Sequence, residues 1–300
     1  MIRTALEQQT LRATGTGRLP SSRLVRAEYL KLRTRRGLVL ASLALTVGSV
    51  LVASGILVGL HAAAPATHGP AGGLEHFHNG VYMLTQLGSM AAILIGATAG
   101  VGDLAAGFFR HLVITGRPRL TLFAARIPGG LGLLLPIAAV AYAVAAVGSV
   151  VFAGSLPAPS AAYLTESGLW FLLYITVMFL LALGAAAMLG SRATTIGLLA
   201  GLQLLITPLV QGLHHAGLGA EATVGIALWQ LAPKALQAGA PQSDLAMSLA
   251  AIVIVVAAWL IAAIGLGGWQ TVKRDASSAA RMPPINATTK RFDSDDHPDG

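Results

Sequence analysis

The sequence predicts an all-α membrane protein with six transmembrane helices, an amphipathic helix ahead of the first and a cytoplasmic helix between the second and third. Three observations carry this expectation. Hydrophobic residues make up 55% of the 300 residues and charged ones only 11%, whereas a soluble domain is about a quarter charged. The apolar residues gather in runs without Asp, Glu, Lys, Arg or His, near the ~20 residues that cross a hydrocarbon core of ~30 Å. The cations fall on alternate connections between those runs, which is the charge asymmetry that orients membrane proteins.

Residues 1–20 lack periodicity and are expected to be disordered. Residues 21–36 read as an interfacial helix: Ser21 or Ser22 caps it after Pro20, and Val25, Tyr29 and Leu32 share one side. Its cations suit an anionic lipid surface. The membrane domain then occupies 37–272. Its first run, Gly37–Leu60, holds 24 residues, about 36 Å as helix. The others are Val81–Val101, Ile127–Gly154, Gly168–Ser191, Ala193–Leu213 and Leu245–Val272. Each is continuously apolar where a barrel strand would alternate. Pro128 falls at the start of the third run, where proline is tolerated, while Pro136 and Pro208 are expected to kink their helices. Residues 273–300 carry charge without periodicity and read as a disordered cytoplasmic tail.

All of the 20 Lys and Arg except Lys234 lie in the N-terminal 36 residues, the second-to-third connection, the fourth-to-fifth turn or the tail. That places both termini in the cytoplasm. It also accounts for the net charge of +8 as membrane orientation, so no nucleic-acid partner is expected. The first run follows an Arg pair, as a twin-arginine signal peptide would. It is much longer than the 7–15 residues of a signal core, so we read it as a span.

Residues 103–115 differ in character. Leu104, Phe108 and Leu112, flanked by Ala105, Phe109 and Val113, recur at helical spacing, while Asp103 and Arg110 share the opposite face. Gly116 and Pro118 supply a stop. Such a helix would lie in the interface, polar side toward the cytosol; the pattern alone equally allows Phe108 and Phe109 to extend the second span with the arginines as its anchors. Residues 212–244 are too polar for a further span and read as short outer helices, with Trp229 at headgroup level.

Two stretches resemble the permease subunits of ABC type-2 transporters, in particular short six-span bacterial members. In "RAEYLKLRTRRG", residues 26–37, the basic helix carries Glu28 and the run Lys31, Leu32, Arg33. In "GDLAAGFFRHLVITGRPR", residues 102–119, Asp103, Gly107 and Arg119 fill the acidic, glycine and arginine positions of the family, which more often has Glu for Asp103 and Thr for Phe108. The resemblance implies a homo- or heterodimer of permease chains in the bacterial plasma membrane. It also implies that the 103–115 helix couples to separate ABC ATPase subunits, which bind ATP and Mg, with Asp103, Gly107, Arg110 and Arg119 at that junction. Glu28, Lys31 and Arg33 would serve the N-terminal interface helix.

The residues agree with that division of labour on two points. None of the lysines sits in a G-x-x-x-x-G-K-[ST] loop, so the chain has no phosphate cradle and no cofactor of its own is expected. The spans also lack the ionisable groups that ion-coupled carriers usually keep at membrane depth. We therefore expect a non-enzymatic permease subunit of an ATP-driven exporter; the alternative is a membrane scaffold or regulatory protein that transports nothing. Thr85, Gln86, Ser89, Tyr174, Thr176 and Gln203 are the candidates for a substrate path, although polar residues in spans more often bond neighbouring helices. Gly96-x-x-x-Gly100 and Gly197-x-x-x-Gly201 permit close helix approach. The pairs His76/His78 and His214/His215 lack cysteine or a full ligand set, so we read them as outer-interface residues rather than a metal site.

Overall fold

A computed structural model describes residues 22–101, 119–206, 223–237 and 247–280. Every regular element among them is helical. Helix α1 spans Ser22–Arg33 and α2 Arg36–Ala63, with a π-turn at Ala44–Gly48. Helices α3 (Leu74–Val101), α4 (Arg119–Val151) and α5 (Ala161–Leu189) follow. Then come α6 (Arg192–Gly201), continued by a π-turn at Leu202–Ile206, the short α7 (Val224–Trp229) and α8 (Lys234–Gln237), and α9 (Leu249–Ala280).

Five of these, α2, α3, α4, α5 and α9, are long and apolar enough to cross a membrane. The expected fifth span, Ala193–Leu213, is represented by α6 and its π-turn, and the remainder of it lies outside the described residues. Helix ends differ from the charge-free runs in a consistent way. Helix α3 begins seven residues before Val81 and α4 eight before Ile127, because a helix continues through the interface after its hydrocarbon-immersed part ends. As a result, Pro128 lies within α4 rather than at its start, together with Pro136. Pro208 is outside the described residues.

Helices α3 and α5 form the centre, and they run parallel: Gly88 of α3 meets Phe171 of α5, and Gly96 meets Phe179 and Ala182. The small residues explain the closeness. A Cβ on Gly96 would come within 2.6 Å of the Phe179 carbonyl oxygen, so a larger residue would force the helices apart. Without a hydrophobic drive between helices in lipid, this kind of backbone approach is what holds spans together. The Gly96/Gly100 pair is thus used within the chain, whereas among the described residues nothing lies within 4 Å of a Cβ placed on Gly197 or Gly201. Phe77, Phe171, Phe179, Leu84, Ile93 and Leu134 are fully buried around this axis.

Helix α2 buries a strip four residues apart, Leu38, Ser42, Thr46 and Val50, and turns Leu40, Leu51, Val52 and Ile56 outward. The buried hydroxyls return their hydrogen bonds to their own helix, Ser42 to the Leu38 carbonyl at 2.9 Å and Thr46 to that of Ser42 at 2.7 Å. The polar atoms are satisfied locally, and the apolar side is left for lipid.

Helix α1 is docked rather than resting on lipid alone. Its Leu32 is buried, Val25 and Tyr29 are half-buried, and its backbone crosses α4 where Gly129 lies against Glu28, Tyr29 and Val25. Arg23, Arg26 and Arg33 stay exposed. Near that crossing, Arg126 of α4 is buried and donates from Nη1 to the Gly100 carbonyl at 2.9 Å. The bond ties α4 to the last described turn of α3.

At the opposite end, Gly73 donates to the Ser149 carbonyl at 2.7 Å and Leu74 to that of Pro157 at 2.9 Å, which ties the α2–α3 connection to the α4–α5 connection. Trp170, in the third turn of α5, donates its indole N–H to the Leu228 carbonyl of α7 at 2.8 Å. Trp229 is buried against Trp170 and Tyr82, with ring centroids 5.2 Å and 5.6 Å away.

Candidate functional site

A cavity of about 410 Å³ opens between α3, α5, α6, α7 and α9. Helix α5 forms its back wall: Tyr174, Met178, Leu181, Ala185 and Met188 recur every three or four residues, as one face of a helix requires. Helix α3 contributes Tyr82, Thr85 and Gln86, one turn apart. Gln203 enters from the π-turn of α6, where one additional residue per turn changes the direction in which side chains point. Trp229 closes the α7 end, and Trp259, Ala262 and Leu266 line the α9 side.

The polar groups converge at one place. Gln203 donates from Nε2 to Oε1 of Gln86 at 3.0 Å and also to the Ser89 hydroxyl. Gln86 in turn donates from Nε2 to the Tyr82 hydroxyl at 3.3 Å, and Ser89 donates to the Gln86 carbonyl at 2.6 Å. This links residues more than a hundred positions apart and holds α6 to α3. The rest of the described lining adds the polar Thr85, Tyr174 and Thr223 to apolar side chains and glycine, and among the described residues none of it is Asp, Glu, Lys, Arg or His. Two buried polar atoms on lining residues have no partner, Oε1 of Gln203 and Nε1 of Trp229.

Of the path candidates, Thr85, Gln86, Tyr174 and Gln203 line this cavity, and Ser89 stands one turn behind, within the network. Thr176 does not. Its hydroxyl returns to the Leu172 carbonyl at 2.6 Å, and it is not among the lining residues. Thr85 also bonds its own helix, at the Val81 carbonyl, 2.8 Å away. Tyr82 was missed in the sequence, though its place one turn before Gln86 puts it on the same face. Trp229 and Trp259 were missed as well. Nothing in the local sequence says that α7 folds back onto α3 and α5.

Of the residues placed at the ATPase junction, Asp103, Gly107 and Arg110 lie outside the described residues, and Arg119 is the first residue of α4. In α1, Glu28 and Lys31 approach at 3.6 Å, one helical turn apart, and Arg33 is exposed at the helix end. Both helices that flank residues 102–118 are therefore held at one end of the molecule. Arg126 joins α3 to α4, and α1 crosses α4 beside it. Among the described residues no group of three or more His, Asp or Glu side chains is placed to hold a metal ion.

No known family model matches the chain, and no curated protein matches it in sequence.

Proposed function

We propose that this chain is the membrane-spanning permease subunit of an ATP-driven exporter, working as a dimer of permease chains with separate ATP- and Mg-binding ATPase subunits in a bacterial plasma membrane. The observation that carries the reading is the cavity between α3, α5, α6 and α9. It is a space between apolar helices with a polar cluster and, among the described residues, no ionisable lining group, in a chain without a phosphate-binding loop. Such a space suits solute passage powered from outside the chain. The resemblance of residues 26–37 and 102–119 to ABC type-2 permeases names the source of that power.

Six crossings with both termini cytoplasmic belong to the same reading. Helix α6 starts at Arg192, beside the end of α5, yet Leu228 accepts a hydrogen bond from Trp170 near the beginning of α5. From Trp170 to Ser191 is about 30 Å along a helix, and α6 with its π-turn runs back along it far enough for Gln203 to bond Gln86 and Ser89, beside the Gly88–Phe171 contact. That return supports a crossing in addition to the five long helices. Co-purification of an ATPase with the full chain from native membranes tests the proposal, because a scaffold without a transport role needs no such partner.

A further inference from the structure

We propose that the α3/α5/α6/α9 cavity is a binding site for an uncharged amphiphile, a molecule with a hydrocarbon body and a hydrogen-bonding head, which reaches it sideways from the lipid. This concerns binding alone and holds whether or not the chain is a permease.

Three features specify the ligand. The volume of about 410 Å³ falls within the ~300–1,000 Å³ of small-molecule sites, which admits a single chain or a compact amphiphile and excludes a polymer. Among the described residues the lining carries no Asp, Glu, Lys, Arg or His, so a charged ligand would lose its hydration with nothing there to replace it. The polar side chains of the described lining are Tyr82, Thr85, Gln86, Tyr174, Gln203 and Thr223, whereas Met178, Leu181 and Met188 continue α5 beyond Tyr174 as an apolar wall. One end therefore bonds a head and the other packs a tail.

The unpartnered atoms point to a head that both donates and accepts. Gln203 is 7% exposed and Trp229 6% exposed, yet Oε1 of the first and Nε1 of the second have no partner. A buried polar group left without a hydrogen bond is costly, and such cases are few in folded proteins. Both residues line the cavity, and the bonds that Gln203 makes use its Nε2 alone. A ligand hydroxyl would supply the missing donor to Oε1, and its oxygen the missing acceptor for the indole.

The route is marked by exposure. Among the described residues α9 packs on α5, α4 and α7 but makes no extended contact with α6. Leu198 on α6 and Trp259, Ala262 and Leu266 on α9 line the cavity and are exposed. A mouth flanked by exposed leucine and tryptophan on two lipid-facing helices opens toward hydrocarbon.

The test uses the full chain in lipid nanodiscs. Trp259→Phe and Trp269→Phe remove the two exposed indoles, so that fluorescence reports Trp170 and Trp229. The probe is a monoacylglycerol with a dibrominated chain, because bromine quenches indole at contact range. The proposal expects saturable quenching, an affinity about tenfold weaker in Gln203→Leu, and loss of the saturable component in Ala262→Phe, which fills the mouth without adding an indole. Ala262 is exposed, so the larger side chain does not disturb the core. Quenching that rises in proportion to probe content and ignores Ala262→Phe would mean bulk lipid only and overturn the site. Equal or tighter binding of the dibrominated fatty acid anion would overturn the neutral-ligand assignment. Absence of saturable quenching together with efficient cross-linking of Ala262→Cys chains to each other would show that a second copy covers the mouth, and would also overturn it. The native chain has no cysteine to confuse that result. An absent ATPase partner, by contrast, would sink the permease reading and leave this site standing.

Discussion

Arg126 reaches from α4 to the last described turn of α3 and donates to the Gly100 carbonyl at 2.9 Å. Lys and Arg counting treats Arg126 as one more cytoplasmic charge, but the side chain is buried and bonds the backbone of another helix. Replacing Arg126 by Leu should lower stability by about 1.5–3 kcal/mol, the range for a hydrogen bond from a charged group. Arg126→Lys should recover part of this. The midpoint of unfolding in a denaturing detergent titration measures both.

The parallel contact between α3 and α5 leads to a paired prediction. Gly96→Leu should be destabilising by at least ~1–3 kcal/mol, because a Cβ there already meets the backbone and Ala182 of α5. Gly197→Leu should stay within about 0.5 kcal/mol of the parent, because among the described residues nothing lies near that position. The two glycine pairs look alike in sequence, so thermal denaturation of these variants separates the packed one from the unpacked one.

How much of this was legible beforehand follows from the physics of each signal. The spans were legible because hydrocarbon excludes charge, and α2, α3, α4, α5 and α9 cover the corresponding runs. Their ends were not, since Glu75, Arg126 and Glu166 sit on turns that continue the helices through the interface. Gln86, Ser89 and Gln203 stood out as polar residues in apolar runs, but nothing in a single sequence says that Gln203 faces Gln86 across 117 positions. Thr176 gave the same signal for a different reason: its hydroxyl is satisfied within its own helix. The burial of Trp229 was not legible, because it comes from the docking of α7 on α5, which no local signal announces. The docking of α1 was half legible. Its apolar face was read correctly, but α4, and not lipid alone, covers it.

Sidedness is open to direct labelling. Cysteines placed at the exposed Thr67, Ala158 and Ala235 should react with an impermeant thiol reagent from outside intact cells. Cysteines at the exposed Thr34 and Arg192 should react only after permeabilisation. The distribution of Lys and Arg sets this expectation. Labelling of position 34 in intact cells would reverse the orientation, and a split between Thr34 and Arg192 would break the six-span arrangement.

The chain purified alone should hydrolyse no ATP, because none of its four lysines lies in a phosphate-binding loop. Phosphate release at several protein concentrations, with contaminating ATPases removed by a second affinity step, checks this. Turnover that scales with the chain itself would require a nucleotide site of a different kind.

The permease reading stands or falls most directly on the partner. Full-length chain extracted from native membranes should bring down a protein containing a phosphate-binding loop, identified by mass spectrometry and by ATP hydrolysis in the eluate. The amount recovered per permease should fall about tenfold or more in Arg110→Glu and in Asp103→Lys while permease abundance holds, because like charges placed across a docking surface cost several kcal/mol. Recovery of no ATPase from the parent chain, or of the same amount from both variants, would contradict the account.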